Sequence, residues 1–178
     1  MTLHGTVRKL SDGRSPQIDP SAYTAPGSVL VGAVTLAADS SVWYNAVLRA
    51  DSDSITLGAG SNIQDGVAVH TDSGHPTVIG RNVSVGHNAV VHGCTVEDDC
   101  LIGMGSVVLS GAVIGAGSLV AGGAVVLEGM IVPPGSLVAG VPAKVRRELT
   151  ADEREAIRQN AAHYVALRAV HAAAVDED

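Results

Sequence analysis

Residues 96–138 read VEDDCLIGMGSVVLSGAVIGAGSLVAGGAVVLEGMIVPPGSLV, and an aliphatic residue returns at every sixth position of this stretch. A period of six fits neither an α-helix nor a long β-strand, whose side chains repeat about every 3.6 and 2 residues. It fits a short strand plus a turn, so that three units close a triangular coil and coils stack by parallel pairing. The same spacing continues upstream, with Thr24 as its one polar member: Ile18, Thr24, Leu30, Leu36, Val42 and Leu48; Leu57, Ile63 and Val69; Ile79, Val85 and Val91; then Val96, Ile102, Val108, Ile114, Val120, Val126, Val132 and Val138.

The aromatic content says how wide this coil can be. The 178 residues are 46% hydrophobic, yet they include no Phe, and the only aromatic residues are Tyr23, Trp43, Tyr44 and Tyr164. Large rings usually dominate a globular core, so the interior must be too narrow for them. We therefore predict an all-β fold, a parallel β-helix of about seven coils filled by Val, Ile, Leu and Ala.

The repeat is interrupted at two places. The step from Val69 to Ile79 is ten residues instead of six, which predicts a four-residue bulge around residues 71–76. The step from Val91 to Val96 is one residue short. Because interruptions of a solenoid map to loops and sites on one face, we expect a functional surface near these positions.

A helix is predicted after the repeat. Thr150 and Glu153 form a capping-box pattern, and apolar residues at helical spacing follow it. The helix should run from about residue 151 to about residue 174 and pack along the β-helix. The chain then divides into a β-helix domain carrying the candidate site, residues 1–145, and a C-terminal helical part, residues 146–178. The apolar positions are Ile157, Ala161, Tyr164 and Leu167, and the frayed tail is Val175–Asp178.

Charge and composition exclude several classes of protein. Eleven Lys and Arg against 18 Asp and Glu leave a net charge of −7, which disfavours nucleic acid and anionic membranes as partners. Residues 1–11 contain no apolar run, so no signal peptide is expected. No uninterrupted apolar segment is long enough to span a membrane. We predict a cytoplasmic protein. Cys94 and Cys100 are interpreted as small wall residues, with a redox-sensitive disulfide as the alternative.

Two histidines share one position of the repeat. His70 follows the inward Val69, and His92 follows the inward Val91. Both should point outward from the same wall on adjacent coils, about 4.8 Å apart at the backbone. Two imidazoles at that spacing can share a metal ion. Three further histidines lie outside this register and are interpreted as ordinary surface residues: His4, His163 and His171.

A third ligand must come from elsewhere, because a catalytic zinc site typically has three protein ligands and an open position. His87 lies two residues after Val85, near a corner of the preceding unit, and cannot reach His70 and His92 in its own chain. A neighbouring subunit can supply it. Three walls and ring closure favour a C3 homotrimer.

An ordered set of motifs now points to a family. The set resembles the γ-class carbonic anhydrases, which are left-handed parallel β-helices of hexapeptide repeats with a C-terminal helix, and the resemblance runs from about residue 10 to about residue 170. The six-residue repeat alone is less specific, because hexapeptide acyltransferases share it. The motifs are Arg49–Ala50–Asp51, Asn62–Ile63–Gln64–Asp65–Gly66, His70, Gly86–His87–Asn88 and His92–Gly93–Cys94.

The resemblance implies a metal enzyme. His70 and His92 of one subunit and His87 of its neighbour would bind Zn²⁺, with Fe²⁺ as the alternative. The implied reaction is reversible hydration of carbon dioxide to bicarbonate by a metal-bound hydroxide at the trimer interface. Zinc suits this task because it can lower the pKa of a bound water to about 7, carbonic anhydrase being the standard example.

Other site residues are also implied by the resemblance. Gln64 would orient the hydroxide or bicarbonate, and Asn62 would shape the same pocket. Arg49 would pair with Asp65 or Asp51 across the subunit interface. The simpler alternatives are that Asn62 and Asp65 are turn residues and that Arg49 and Asp51 form a solvated ion pair.

The chain departs from the family pattern in its acidic residues. Ser52 stands where the founding member of the family has Glu, and residues 71–76 replace a long acidic loop. Those differences leave His75, Asp53 and Tyr164 as the remaining candidates for moving the proton. They keep three alternatives open, namely a thioester hydrolase, a hexapeptide acyltransferase-like enzyme in the same cleft, or a catalytically weak, metal-stabilised scaffold.

Overall fold

The structure is a computed structural model that describes residues 5–174. Two predictions concern residues outside this range: His4 as a surface residue and Val175–Asp178 as a frayed tail. The elements are β1 (Thr6–Arg8), β2 (Gln17–Ile18), β3 (Tyr23–Thr24), β4 (Val29–Leu36), β5 (Ser41–Val42), β6 (Val47–Leu57), β7 (Asn62–Ile63), β8 (Ala68–His70), β9 (Thr77–Ile79), β10 (Ser84–Val85), β11 (Val90–His92), β12 (Thr95–Val96), β13 (Leu101–Ile102), β14 (Val107–Val108), β15 (Val113–Ile114), β16 (Leu119–Val120), β17 (Val125–Val126), β18 (Ile131–Val132), β19 (Ser136–Ala139), β20 (Lys144–Glu148) and α1 (Ala151–Ala172).

The strands form three walls of stacked coils. One wall runs β3-β5-β7-β10-β13-β16-β19, and these seven strands correspond to seven coils. The other two walls, β8-β11-β14-β17 and β9-β12-β15-β18, belong to one continuous sheet because β4 and β6 run through the corner between them. Pairing between successive coils is parallel throughout, for example Val85 with Ile102. The predicted parallel β-helix of about seven coils is confirmed.

The repeat positions line a single core, with one exception. Inward residues such as Leu48, Val85 and Ile102 are fully buried, and even Thr24 is only 6% exposed. Ile18 was predicted to point inward, but it is 37% exposed. Its strand β2 pairs only with β4, so no coil on the other side covers it.

The aromatic rings pack outside the coil. Trp43 contacts Tyr23, Tyr164 and His171 edge-on, with ring centroids 5.7, 5.3 and 4.8 Å apart. Tyr44 Oη and His171 Nδ1 share a hydrogen bond of 2.8 Å. This cluster is separate from the main core, which agrees with the prediction that the interior excludes rings. The interpretation of His171 as an ordinary surface residue was wrong, because the helix carries it back onto Trp43.

The C-terminal helix begins as predicted and ends two residues early. The Thr150 side chain accepts from the Glu153 amide, and the Glu153 carboxylate accepts from the Thr150 amide. The helix buries Ile157 and Ala161 against the wall of β5, β7 and β10. Before it, β20 turns back and pairs antiparallel with β19, a strand that the repeat did not predict. Among residues 5–174, no helix has both the length and the apolar character needed to cross a membrane.

Both cysteines are buried free thiols. Burial raises the pKa of Cys94 and of Cys100 to about 12, so neither thiol ionises near neutral pH. The interpretation of the two residues as wall residues is confirmed, and the alternative disulfide is not formed.

Removing the helix cap should cost a measurable part of the stability. Thr150→Ala leaves the Glu153 amide without its acceptor, and we expect a loss of about 1 kcal/mol in the free energy of unfolding. Urea titration followed by circular dichroism measures this loss. Thr150→Ser is the matched control, since it keeps the hydroxyl and should retain most of the stability. Equal stability of the Ala variant and the wild type would contradict a role for the cap.

Candidate metal centre

The two histidines of the shared repeat position lie side by side. His70 ends β8 and pairs in register with His92 at the end of β11. Nδ1 of His70 is 2.9 Å from Nε2 of His92, and the ring centroids are 5.0 Å apart. The structure thus brings these two side chains together on one wall, as their spacing predicted.

A carboxylate orients the His70 ring. Nε2 of His70 lies 2.9 Å from Oδ1 of Asp51, whose other oxygen accepts from Arg49 at 2.5 Å. These hydrogen bonds, first that from His70 and then that from Arg49, lower the pKa of Asp51 to about 2. At neutral pH Asp51 is therefore ionised and can only accept. The proton of a neutral His70 ring must sit on Nε2, and the Nδ1 lone pair faces His92.

A hydroxyl orients the His92 ring. Nδ1 of His92 is 3.0 Å from Oγ of Ser110, and Ser110 Oγ donates to Oδ2 of Asp72 at 2.8 Å. A hydroxyl has one proton to donate, and here Ser110 donates it in the hydrogen bond to the Asp72 carboxylate. Ser110 must then accept from His92, so the proton of a neutral His92 ring is on Nδ1 and the Nε2 lone pair faces His70.

The pair of rings fits a metal ion. Two lone pairs face each other at 2.9 Å, which is unfavourable unless a cation or a shared proton lies between them. Tetrahedral zinc with Zn–N bonds of about 2.0–2.1 Å holds two ligand nitrogens about 3.3 Å apart, so side-chain shifts of a few tenths of an ångström suffice. Histidines whose second nitrogen donates to a carboxylate or another oxygen acceptor are typical of metal ligands.

His87 lies at a different corner. It follows β10, and its Nδ1 is 2.8 Å from Oδ2 of Asp65. Within residues 5–174, no three His, Cys, Asp or Glu side chains of one chain gather in a way that could hold a metal ion. One chain therefore places two of the predicted ligands, His70 and His92, face to face and keeps the third predicted ligand, His87, apart from them.

The two predicted amides form a buried chain. Gln64 Nε2 donates to Asn62 Oδ1 at 3.1 Å, and Asn62 Nδ2 donates to Ser84 Oγ at 2.9 Å. Asn62 is fully buried and belongs to β7, so the interpretation of it as a turn residue does not hold. Gln64 and His87 border the same pocket of about 500 Å³, between the wall and α1. The apolar lining of this pocket includes Leu101, Met104, Leu119 and Tyr164.

The charged residues and proton candidates have identifiable contacts. Arg49 pairs with Asp51 in its own chain. Asp53 holds the 71–76 loop, because its carboxylate accepts from the Gly74 amide at 3.2 Å and its own amide donates to Thr71 Oγ1 at 3.0 Å. In addition, His75 is exposed on that loop and Tyr164 packs in the aromatic cluster.

Ser110 and Asp72 were not among the predicted site residues. Ser110 lies on the coil after His92, but the shortened step between Val91 and Val96 moves it out of the histidine register. Gly93 is the residue beside it: a Cβ built on Gly93 would come within 2.7 Å of Ser110 Oγ. The interruption of the repeat was the signal that pointed to this place.

Comparison with known proteins identifies a matching family model and several similar proteins. A family model described as bacterial transferase hexapeptide (six repeats) matches residues 93–128. A "Probable carbonic anhydrase" of Methanocaldococcus jannaschii is 55% identical over 150 residues, which cover 84% of this chain and 94% of that protein. "Gamma carbonic anhydrase 2, mitochondrial" of Arabidopsis thaliana is 41% identical over 97% of this chain, and the chain spans 64% of the length of that relative.

A solved structure supports the same fold. The crystal structure of a hexapeptide transferase family protein from Anaplasma phagocytophilum superposes with a TM-score of 0.88 at 38% sequence identity. The match covers 93% of this chain and 97% of the other. Most of the described fold is therefore shared with that protein.

Proposed function

The chain belongs to the γ-class carbonic anhydrase family, and from that premise we propose that it hydrates carbon dioxide reversibly to bicarbonate at a zinc site. Family membership implies a metal cofactor, and the choice of zinc, with ferrous iron as the alternative, is part of the proposal. The observation that carries it is the pair of lone pairs on His70 and His92, held face to face by Asp51 and Ser110.

We propose that the site is completed by a second chain of a homotrimer. His70 and His92 belong to one wall of one subunit, and His87 of the neighbour would be the third ligand. The exposure of His87, 40% of its side chain, leaves it accessible to a neighbouring chain. We also propose that Arg49 pairs with Asp65 across the same interface, in addition to its contact with Asp51.

The chain's own residues would hold, orient and enclose the reactants. A bound zinc ion supplies Lewis acidity, which brings the ionisation of water to about pH 7 in this class of enzyme. The Gln64 amide, fixed by Asn62 and Ser84, borders the pocket beside His87 and can hydrogen-bond the oxygen atoms of the substrate. Gln64 is only 5% exposed, and its hydrogen bond to Asn62 orients the amide before the substrate enters, which favours catalysis.

The deciding experiment is stopped-flow hydration of carbon dioxide by protein loaded with Zn²⁺. We expect a rate above that of the buffer, lost on chelation and restored by adding Zn²⁺. Metal analysis should give one zinc per subunit. Stoichiometric zinc without any hydration would reject the proposed reaction and favour a metal-stabilised scaffold.

Gln64→Ala should separate catalysis from metal binding. The amide is hydrogen-bonded to Asn62 and is not among the expected ligands, so zinc content should be unchanged. The hydration rate should fall on the order of 100-fold, the usual cost of losing one oriented donor. Gln17→Ala, at an exposed position of β2, is the matched control and should leave the rate as it is. An unchanged rate in the Gln64 variant would remove Gln64 from the mechanism.

Thioester hydrolysis is the second candidate. The pocket of about 500 Å³ beside His87 has a largely apolar lining that includes Leu101 and Leu119, and such a lining suits an acyl chain. The same zinc-loaded preparation should be tested with acyl-coenzyme A esters of increasing chain length. Turnover that rises with chain length, in the absence of carbon dioxide hydration, would favour this candidate over the first.

The remaining features of the proposal concern context. We propose a cytoplasmic location and small-molecule substrates. We also propose that the protein has no nucleic acid or membrane partner, because its net charge of −7 would repel both. We also propose that residues 1–145 form the β-helix unit with the metal site and that residues 146–178 form a C-terminal helical unit docked on it.

A further inference from the structure

We propose that Ser110 and Asp72 are positioning residues that set the ring orientation and tautomer of His92. The inference rests on the metal site proposed above and assigns that site two residues beyond the predicted set. The pair forms a relay, defined here as the hydrogen-bonded sequence His92 Nδ1, Ser110 Oγ, Asp72 Oδ2.

The distances require the hydroxyl as an intermediate. Asp72 Oδ2 is 3.6 Å from His92 Nδ1, which is too long for a direct hydrogen bond. Ser110 spans the gap with contacts of 3.0 and 2.8 Å. Because the Ser110 hydroxyl donates its hydrogen bond to the Asp72 carboxylate, Ser110 can only accept from His92. Nε2 of His92 is thereby left free to act as a ligand.

The main chain at Gly93 leaves space for the relay. Gly93 lies beside Ser110 with φ of +53°, and any side chain there would collide with the Ser110 hydroxyl. The shortened step of the repeat and the absence of a Cβ on Gly93 therefore leave the space in which the hydroxyl reaches His92.

The inserted loop delivers the carboxylate. The loop turns tightly, since the His75 amide donates to the Asp72 carbonyl at 2.9 Å. Asp53 anchors it through the Gly74 amide, and Thr71 anchors Asp53 in turn. The four-residue insertion thus has a structural task at this site: it holds Asp72 beside Ser110.

A comparison of the three predicted ligands supports the assignment. The His70 ring contacts the carboxylate of Asp51 at 2.9 Å, and the His87 ring contacts that of Asp65 at 2.8 Å. His92 reaches its carboxylate only through Ser110. Each ring therefore has an oxygen acceptor on one nitrogen, which leaves its other nitrogen available as a ligand. Such acceptors set tautomer and orientation in metal sites.

The tautomer of His92 is the first test and needs no metal. In chelator-treated protein labelled with ¹⁵N-histidine, at a pH where the rings are neutral, the hydrogen bond to Ser110 should hold the His92 proton on Nδ1 against the repulsion from the facing His70 lone pair. NMR reads this tautomer directly. Ser110→Ala should remove that preference and populate the Nε2–H form, and Ser110→Thr should restore the wild-type pattern. Ser73→Ala, at an exposed position of the same loop, is the matched control and should leave the spectrum unchanged.

Zinc affinity is the second test. In competition with a chromogenic chelator, Ser110→Ala should bind Zn²⁺ about 10- to 100-fold more weakly than the wild type. Asp72→Ala should weaken binding in the same direction but less, because Ser110 can still accept from His92. If Ser110→Ala does not fold, as judged by circular dichroism, Asp72→Ala serves alone, since Asp72 is an exposed loop residue.

The outcomes separate this inference from the proposed reaction. A Ser110→Ala protein that keeps His92 protonated on Nδ1, or that binds Zn²⁺ as tightly as the wild type, would overturn the relay. If the variant loses the tautomer and the affinity while the wild type hydrates no carbon dioxide, the relay stands and the proposed reaction falls.

Discussion

An equimolar co-assembly of His87→Ala and His70→Ala subunits is expected to regain zinc and activity that neither variant has alone. In the proposed trimer each site takes His70 and His92 from one chain and His87 from the next. A site is intact only where a His87→Ala chain provides the pair and a His70→Ala chain provides the third ligand. Random assembly produces this arrangement at about a quarter of the sites.

The measurement is zinc content and hydration rate after the two proteins are unfolded and refolded together. The matched control is the mixture of His70→Ala with His92→Ala. Both variants are defective in the same pair of ligands, so every site in that mixture is broken and no recovery is expected. Recovery in the control, or none in the test mixture, would contradict a site shared between chains.

Truncating the core at Ile114 is expected to destabilise the protein by about 2–5 kcal/mol, the usual range for removing a large aliphatic side chain from a packed interior. Ile114 is fully buried between coils, and its strand pairs on both sides. The walls cannot collapse into the cavity without breaking the pairing that holds them, so we expect little relief by relaxation.

Ile131→Ala is the matched control. Ile131 lies on the next coil of the same wall, but it points outward and is 66% exposed. The same chemical change there should alter stability by well under 1 kcal/mol. Urea titrations of both variants at one protein concentration give the comparison. Similar losses for the two would mean that the alternation between inward and outward positions does not control stability.

The coil and the wall that carries the two histidines follow from local rules. A narrow prism accepts only aliphatic side chains at its inward positions. Buried positions therefore recur at every sixth residue and can be predicted from the sequence. His70 and His92 are neighbours because each directly follows an inward residue of that repeat, Val69 and Val91. The capping box of α1 is equally local, because Thr150 and Glu153 are three residues apart.

Contacts between segments that are distant in the chain could not be predicted from the sequence in this way. His171 joins Tyr44 across 127 positions, and nothing in the helical pattern indicates which wall residue it meets. The antiparallel return of β20 onto β19 likewise depends on the turn after the last coil. At the edge of the solenoid, Ile18 keeps the repeat but loses its burial, since burial also requires a second neighbouring coil.

The periodic sequence was therefore sufficient for the β-helix, for the absence of rings from its core, and for the histidine pair, because each depends on one residue and its fixed place in a coil. The relay of Ser110 and Asp72 required the folded molecule. Its two members are 38 positions apart, and an insertion and a shortened step shift both out of the repeat. Only the path of the loop, anchored by Asp53, brings the Asp72 carboxylate to the hydroxyl that orients His92.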